Sequence, residues 1–250
     1  MRKTLWLMLV NLMPLQILGQ GVDVPPRFVI DTPTAGLLPR AGLDVNLRAF
    51  GNGGLLGSIN VGISEDFMFG ISYGGINVLG SGVVNWHQNP GVNARYRLLE
   101  EMQDRPSITV GFDSQGYGAF IDSTRRYENK SPGFFAVLSK SYDLFERFDA
   151  HVGVNFSLET ADGDQDPNFF LSSSLAFNGN FELLGEYDVA LNDNVDDSIN
   201  SGKGFLNIGV RLNIRNVVYI ESFVKDVLEN RKNIANANRE VKITYFQFIQ

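Results

Sequence analysis

Cysteine is absent from all 250 residues, which excludes a disulfide framework, a thiolate metal site and a lipid-modified cysteine anchor. Histidine is scarce, with only His87 and His151. No G-x-S-x-G, H-E-x-x-H or G-x-x-x-x-G-K-[ST] motif occurs, so the usual hydrolase, zinc-protease and nucleotide signatures are missing. The formal charge is −7, without the basic excess of a nucleic-acid binder. Beyond the first twenty residues no apolar run is long enough to cross a membrane as a helix. Yet 44% of the chain is hydrophobic, with 19 Phe, 8 Tyr and 26 Gly.

The first residues read as a secretory signal. Arg2 and Lys3 supply positive charge, and Leu5–Val10 and Leu12–Leu18 form a short apolar core broken by Asn11 and Pro14. Cleavage is expected after Gly19 or Gln20, giving a signal peptide at 1–20. The alternative is an uncleaved N-terminal anchor.

From residue 41 onward the dominant pattern is alternation. Leu43, Val45, Leu47 and Ala49 interleave with Asp44, Asn46 and Arg48. A period of two separates these sets onto opposite faces of a strand, which no helix does. Similar segments recur at 55–64, 67–74, 92–99, 108–113, 133–142, 148–159, 169–177, 181–191, 206–214, 217–226 and 241–249. That makes about twelve strands. Links after even-numbered strands are mostly short, as at Glu65-Asp66, Asn178-Gly179-Asn180 and Arg215-Asn216, with the link around Glu101 to Pro106 the longest of that set. Links after odd-numbered strands are often long, as at 75–90, 114–132, 192–203 and 228–239. Short turns on one side, long loops on the other and an even strand count describe a transmembrane antiparallel β-barrel with both termini periplasmic. Outward aromatics near the segment ends fit interfacial girdles: Phe67, Phe148, Phe177 and Phe181 on the short-turn side, Tyr73, Phe156 and Phe169 on the other. The competing reading is a soluble all-β barrel with inside and outside exchanged. Phe246 and Phe248 share parity with Lys242 and Thr244, a departure that a β-bulge would repair.

The expected organisation is a signal peptide at 1–20, a segment at 21–40 that is either a lumen plug or a periplasmic tail, and an outer-membrane barrel at 41–250 in a diderm bacterium. The lumen-facing charges are then Asp44, Arg48, Arg95, Arg97, Asp113, His151, Glu159, Glu182, Glu186, Asp188 and Arg211. Facing one another across water they line a polar pore, whereas paired directly they close it. Inward glycines (Gly62, Gly70, Gly74, Gly111, Gly153, Gly209) either clear space on the wall or serve strand curvature. Trp86, Tyr117, Phe120 and Tyr127 in the long loops are candidates for stacking on sugar rings or packing on a protein. The run Asp162-Gly163-Asp164-Gln165-Asp166 has calcium-loop spacing, but Pro167 and Ser173 occupy positions that need Gly and Glu, so no metal and no cofactor is expected. A barrel hydrolase would need His151 beside a serine, with Ser157 and Asn155 the nearest partners along its strand.

The segments Ile30-Asp31-Thr32-Pro33-Thr34-Ala35 and Gly70-Ile71-Ser72-Tyr73 resemble parts of the YjbH-like outer-membrane proteins associated with exopolysaccharide production. Gly111–Gly118 and Gly185-Glu186-Tyr187-Asp188 look like elements of similar barrels. The expectation is a non-enzymatic envelope component whose partners are outer-membrane lipid and either polysaccharide or other envelope proteins. Family members are longer, and no set of functional residues transfers with the resemblance. The expected function is a small pore or envelope component linked to exopolysaccharide production or export. The alternative is a closed barrel that is structural or binds through its loops.

Overall fold

The computed structural model describes residues 24–195, 198–232 and 238–249. The expected signal peptide lies outside them. Twelve long strands form the wall: β1 (Gly42–Phe50), β2 (Gly54–Gly62), β3 (Phe67–Ile76), β5 (Gly91–Leu99), β6 (Ser107–Asp113), β9 (Gly133–Tyr142), β10 (Arg147–Phe156), β11 (Asn168–Asn178), β12 (Phe181–Asp188), β13 (Phe205–Ile214), β14 (Val218–Lys225) and β15 (Asn238–Phe248). Each pairs antiparallel with its neighbours, and β1 pairs with β15 from Gly42↔Phe248 to Ala49↔Val241, so the barrel is closed. Closure leaves no sheet edge, which is the condition for a β-structure to sit in lipid. Three short strands lie in the long loops: β4 (Asn85–Trp86), β7 (Tyr117–Ile121) and β8 (Arg126–Asn129).

Side-chain burial decides which face is outside. Val45, Leu47, Ile71, Val152, Leu171 and Ile243 are exposed, whereas Asp44, Arg48, Arg95, Glu186 and Arg211 are buried. The apolar face therefore points away from the lumen, as in a membrane barrel and opposite to a soluble one. Rings collect at both rims of this outer face. Tyr142 packs on Phe148 (6.3 Å between centroids) and Phe145 on Phe177 (5.4 Å) by the short turns, and Tyr73 stacks on Trp86 (5.7 Å) by the long loops.

The short turn between β13 and β14 is tight because Arg215 and Asn216 both take positive φ, 58° and 55°. Consecutive left-handed residues match the twist of a hairpin, and the Asn213 side chain accepts the Asn216 N–H at 2.8 Å.

No bulge interrupts the end of β15: its register against β1 is continuous. Phe246 simply points inward and is buried. Its partners explain why. Residues 24–39 enter the barrel as a finger, and Val24, Leu37 and Leu38 pack on Met68 and Phe246. Two further wall patches receive the finger. Val29 and Ile30 pack against Leu184 and Phe223, and Ala35 packs against Phe135, Val137 and Phe170. The same contacts account for the weak alternation of β9, where Phe135 and Val137 stand at lumen positions.

The finger is a narrow hairpin. Val29 N–H donates to Thr32 O (3.1 Å) and Thr34 N–H to Arg27 O (2.9 Å). Its tip lies at Ile30–Thr32. Both limbs return to the short-turn end, where Arg27 pairs with Asp44 and Gly42 N–H donates to Pro39 O (2.8 Å).

Of the inward glycines, Gly62, Gly111, Gly153 and Gly209 serve these contacts, whereas Gly70 and Gly74 lie against neighbouring wall residues. A Cβ on Gly209 would lie 2.7 Å from the Phe223 ring, and Cβ atoms on Gly153 and Gly111 would collide with the rings of Phe170 and Phe135. A Cβ on Gly62 would collide with the finger backbone at Leu38 and Pro39.

Candidate functional site: a plugged, charge-lined lumen

Strand alternation sends every second side chain into the lumen, where an ion must find a partner or remain hydrated. The wall charges mostly find one another. Arg211 lies 2.8 Å from both Glu182 and Glu221, and Lys242 reaches Glu221 at 2.7 Å. Higher in the barrel, Arg48 reaches Glu240 at 2.5 Å, with Lys225 3.4 Å from the same carboxylate. That leaves two cations facing one wall carboxylate.

The finger supplies the second. Asp31 at its tip lies 2.6 Å from Arg48 and 2.5 Å from Lys225. The tip backbone answers the opposite charge. Oε2 of Glu186 accepts the N–H groups of Ile30, Asp31 and Thr32 at 3.1, 2.9 and 3.0 Å and the Thr32 hydroxyl at 2.9 Å. Successive N–H groups turned toward one oxygen form a small anion nest. Asn207 donates to the other oxygen of Glu186 at 2.7 Å.

More wall groups hold the limbs. Arg95 donates to the carbonyls of Arg27 (2.6 Å) and Thr34 (3.2 Å), with its guanidinium 4.4 Å from the Phe28 ring centroid. Arg211 donates to Phe28 O at 3.2 Å, and Thr109 Oγ1 to Ala35 O at 2.9 Å. Ser139 Oγ accepts Ala35 N–H at 2.8 Å and lies 2.7 Å from His151 Nδ1.

From the opposite mouth the β7–β8 hairpin folds inward. The Tyr117 ring centroid is 4.2 Å from the Arg48 guanidinium and 5.3 Å from Lys225 Nζ. Asn129 donates to Asp31 at 3.2 Å. Finger and hairpin thus meet at one carboxylate. The hairpin is pinned from the side. Arg126 lies 2.8 Å from Asp162 and 2.6 Å from Asp193, and Lys130 lies 2.7 Å from Asp162. These contacts hold the Asp162 carboxyl below its ordinary value against the opposing effect of burial. The acidic loop at 162–166 therefore answers internal cations.

The sequence candidates divide accordingly. Asp44, Arg48, Arg95, Glu182, Glu186 and Arg211 are brought together around the finger. Asp113 is buried and accepts Gln115 N–H at 2.9 Å. Asp188 accepts from Asn168 at 2.6 Å. Arg97 sits at the rim, 3.1 Å from Asp66 in a short turn. β10 ends at Phe156, so Glu159 belongs to a loop; it accepts Tyr127 N–H (2.9 Å) and Ser131 N–H (3.1 Å), and burial raises its pKa. His151 meets Ser139 across the strands rather than Ser157 along its own. Among the loop aromatics, Trp86 is exposed, Phe120 is half-buried, and Tyr117 and Tyr127 face inward.

Sequence reasoning missed Asp31, Glu221, Lys225, Glu240 and Lys242. The last four share a face with period two along β14 and β15, and that spacing could have revealed them. Nothing local signals that Asp31 joins them, because its partners lie 17 and 194 positions away.

Finger and hairpin together occupy most of the lumen. A cavity of about 100 Å³ runs from Arg147 and Tyr219 near the short turns to Tyr117, and one of about 40 Å³ lies between Asn129, Asn168 and Asp188. These volumes hold a few waters but no larger solute.

No family model and no curated protein matches the sequence. The architecture is nevertheless that of solved outer-membrane porins. The KdgM porin aligns with a TM-score of 0.51 at 8% identity, over 83% of this chain and 99% of that one. A KdgM porin in complex with disordered oligogalacturonate gives the same figures. The NanC porin aligns at 0.47 with 13% identity, over 83% of this chain and all of that one.

Proposed function

We propose that this protein is a non-enzymatic outer-membrane barrel of porin type, held shut by residues 24–39, which conducts polar solutes when that finger withdraws. The carrying observation is the finger itself. Both of its limbs emerge at the short-turn end, so it can leave without threading the chain. Its tip is held by ion pairs and hydrogen bonds that water can replace. Withdrawal exposes a lumen lined by Arg48, Arg95, Arg211, Lys225 and their carboxylate partners, a surface suited to hydrated, hydroxyl-rich solutes. The oligogalacturonate held by one KdgM structure and the YjbH-like segments both direct attention to saccharides. The reading therefore includes a role in exopolysaccharide production or export. Both termini and the short turns lie in the periplasm, and the long loops lie at the cell surface.

The test is planar-bilayer conductance of protein lacking the signal peptide, compared with a form that also lacks residues 24–38. The intact form is expected to be mostly silent and the truncated one to show stable discrete steps. A folded, heat-modifiable truncated barrel that stays silent would overturn the channel reading.

A second reading has its own support. Three apolar patches on the lumen wall are dedicated to the finger, as suits a permanently closed barrel that acts structurally or through its loops. Silence of the truncated form favours it.

A further inference from the structure

A second site lies at the long-loop rim, outside the lumen. It is a cleft of about 140 Å³ between the loop carrying β4 and the β7–β8 hairpin, lined chiefly by Asn85, Trp86, His87, Gln88, Phe120 and Asp122. The backbone sets it rigidly. β4 pairs with the end of β3 through Gly75↔Trp86 and Ile76↔Asn85, and His87 N–H donates to Gly74 O at 2.9 Å. A Cβ on Gly75 would lie 2.6 Å from the Asn85 carbonyl, so the close approach of β4 requires glycine there. Gln88 Nε2 donates to Asp122 at 2.7 Å and ties the two walls together.

His87 is the unexplained group. It is 4% exposed, and neither ring nitrogen has a hydrogen-bond partner among the described residues. A buried, unsatisfied polar group in a cleft is costly unless something completes it. Its ring meets the edge of Tyr127 at 5.0 Å, and Tyr127 meets Phe120 at 5.1 Å, which holds the imidazole in place. Burial lowers the His87 pKa, so the ring is neutral at physiological pH and offers one donor and one acceptor.

We propose that this cleft is a binding subsite for an uncharged sugar ring of a surface saccharide. Each component has a role in such recognition. Trp86, stacked on Tyr73 at an interplanar angle of 11°, and Phe120 supply apolar surface for the C–H face of a pyranose. Asn85, Gln88, Asp122 and the neutral His87 supply donors and acceptors for hydroxyl groups, each of which is itself both. Among the described residues lining the cleft there is no lysine or arginine, and Asp122 would repel a second carboxylate. A phosphate, a uronate or an anionic lipid headgroup therefore does not fit. The proposal rests on the reading that places the long loops at the cell surface.

The sequence provides a direct reporter. Its two tryptophans are Trp6 and Trp86, so protein lacking the first 20 residues keeps Trp86 alone. We would follow Trp86 emission of refolded protein in micelles during titration with neutral gluco-, manno- and galacto-hexasaccharides and with an oligoglucuronate. A parallel arm uses vesicles containing a neutral glycolipid. At least one neutral ligand is expected to shift the emission saturably, and Asp122→Ala and His87→Phe are expected to weaken it at least tenfold. Those variants keep the heat-modifiable migration of the unaltered protein, because neither residue lies in a wall strand. Response in the micelle arm identifies a free saccharide as the source, and response confined to vesicles identifies a glycolipid. Response to neither, response to the oligoglucuronate alone, or equal binding by both variants overturns the proposal. Failure here leaves the conductance test of the channel untouched.

Discussion

Replacing Asp31 by Asn should loosen the finger without unfolding the barrel. The Asp31 side chain is 11% exposed and faces Arg48 at 2.6 Å and Lys225 at 2.5 Å. Removing one partner of a buried ion pair typically costs about 3–5 kcal/mol. Arg48 and Lys225 keep Glu240, so the lower end, about 3 kcal/mol, is the better figure. The loss falls on the docked finger, since both cations regain water once it withdraws. At about 1.4 kcal/mol per tenfold, the ratio of withdrawn to docked finger should rise roughly a hundredfold. Trypsin reads this directly. Arg27 is paired with Asp44 in the docked finger, and cleavage after it follows the withdrawn population when withdrawal and return are fast. Cleavage after Arg27, followed by mass spectrometry, should accelerate by about two orders of magnitude, and bilayer recordings should show more frequent openings. Equal cleavage rates in Asp31→Asn and the unaltered protein would refute the idea that this ion pair latches the finger.

Further tests address the other anchors. Glu186→Gln should also speed cleavage after Arg27, because either amide orientation turns an NH₂ group toward the tip N–H groups or toward Asn207; the expected penalty is about 1.5–3 kcal/mol. Gly209→Ala should lower the urea midpoint of vesicle-inserted protein by an amount corresponding to about 1–3 kcal/mol, whereas Gly185→Ala, whose Cβ would meet only Ser173 Oγ at 3.9 Å, should be nearly neutral. The β7–β8 hairpin should respond to acid in a defined direction. Because the Asp162 pKa is depressed in the folded protein, its contribution is present above its ordinary value near 4 and is lost as pH falls through the lower folded value. The Asp162 part of the response, read as the difference in protease access to residues 122–126 between the unaltered protein and Asp162→Asn, should therefore be constant above about pH 5 and shrink only below about pH 4.

Strand number, order and the exchange of inside for outside were legible in the sequence, because a period of two acts through neighbouring residues and depends on nothing distant. The alternation of short and long links carried the topology for the same reason. Several points at which the pattern faltered, however, were contacts with residues 24–39. Phe246, Phe135 and Val137 broke the polar face because they seat the finger, and Gly111, Gly153 and Gly209 lie where inward rings need room. Those glycines were visible in the sequence, but their ring partners sit on neighbouring strands. Charge at the lumen wall was likewise visible, but its pairing was not. Whether Arg48 meets a wall carboxylate, the finger or open water depends on chain segments brought together by closure of the barrel. The sequence by itself determined a barrel with a charged interior, since local alternation suffices for that. Only the tertiary structure decided that the interior is filled, because Asp31 and Glu186 satisfy their charges across 17 to 194 residues of intervening chain.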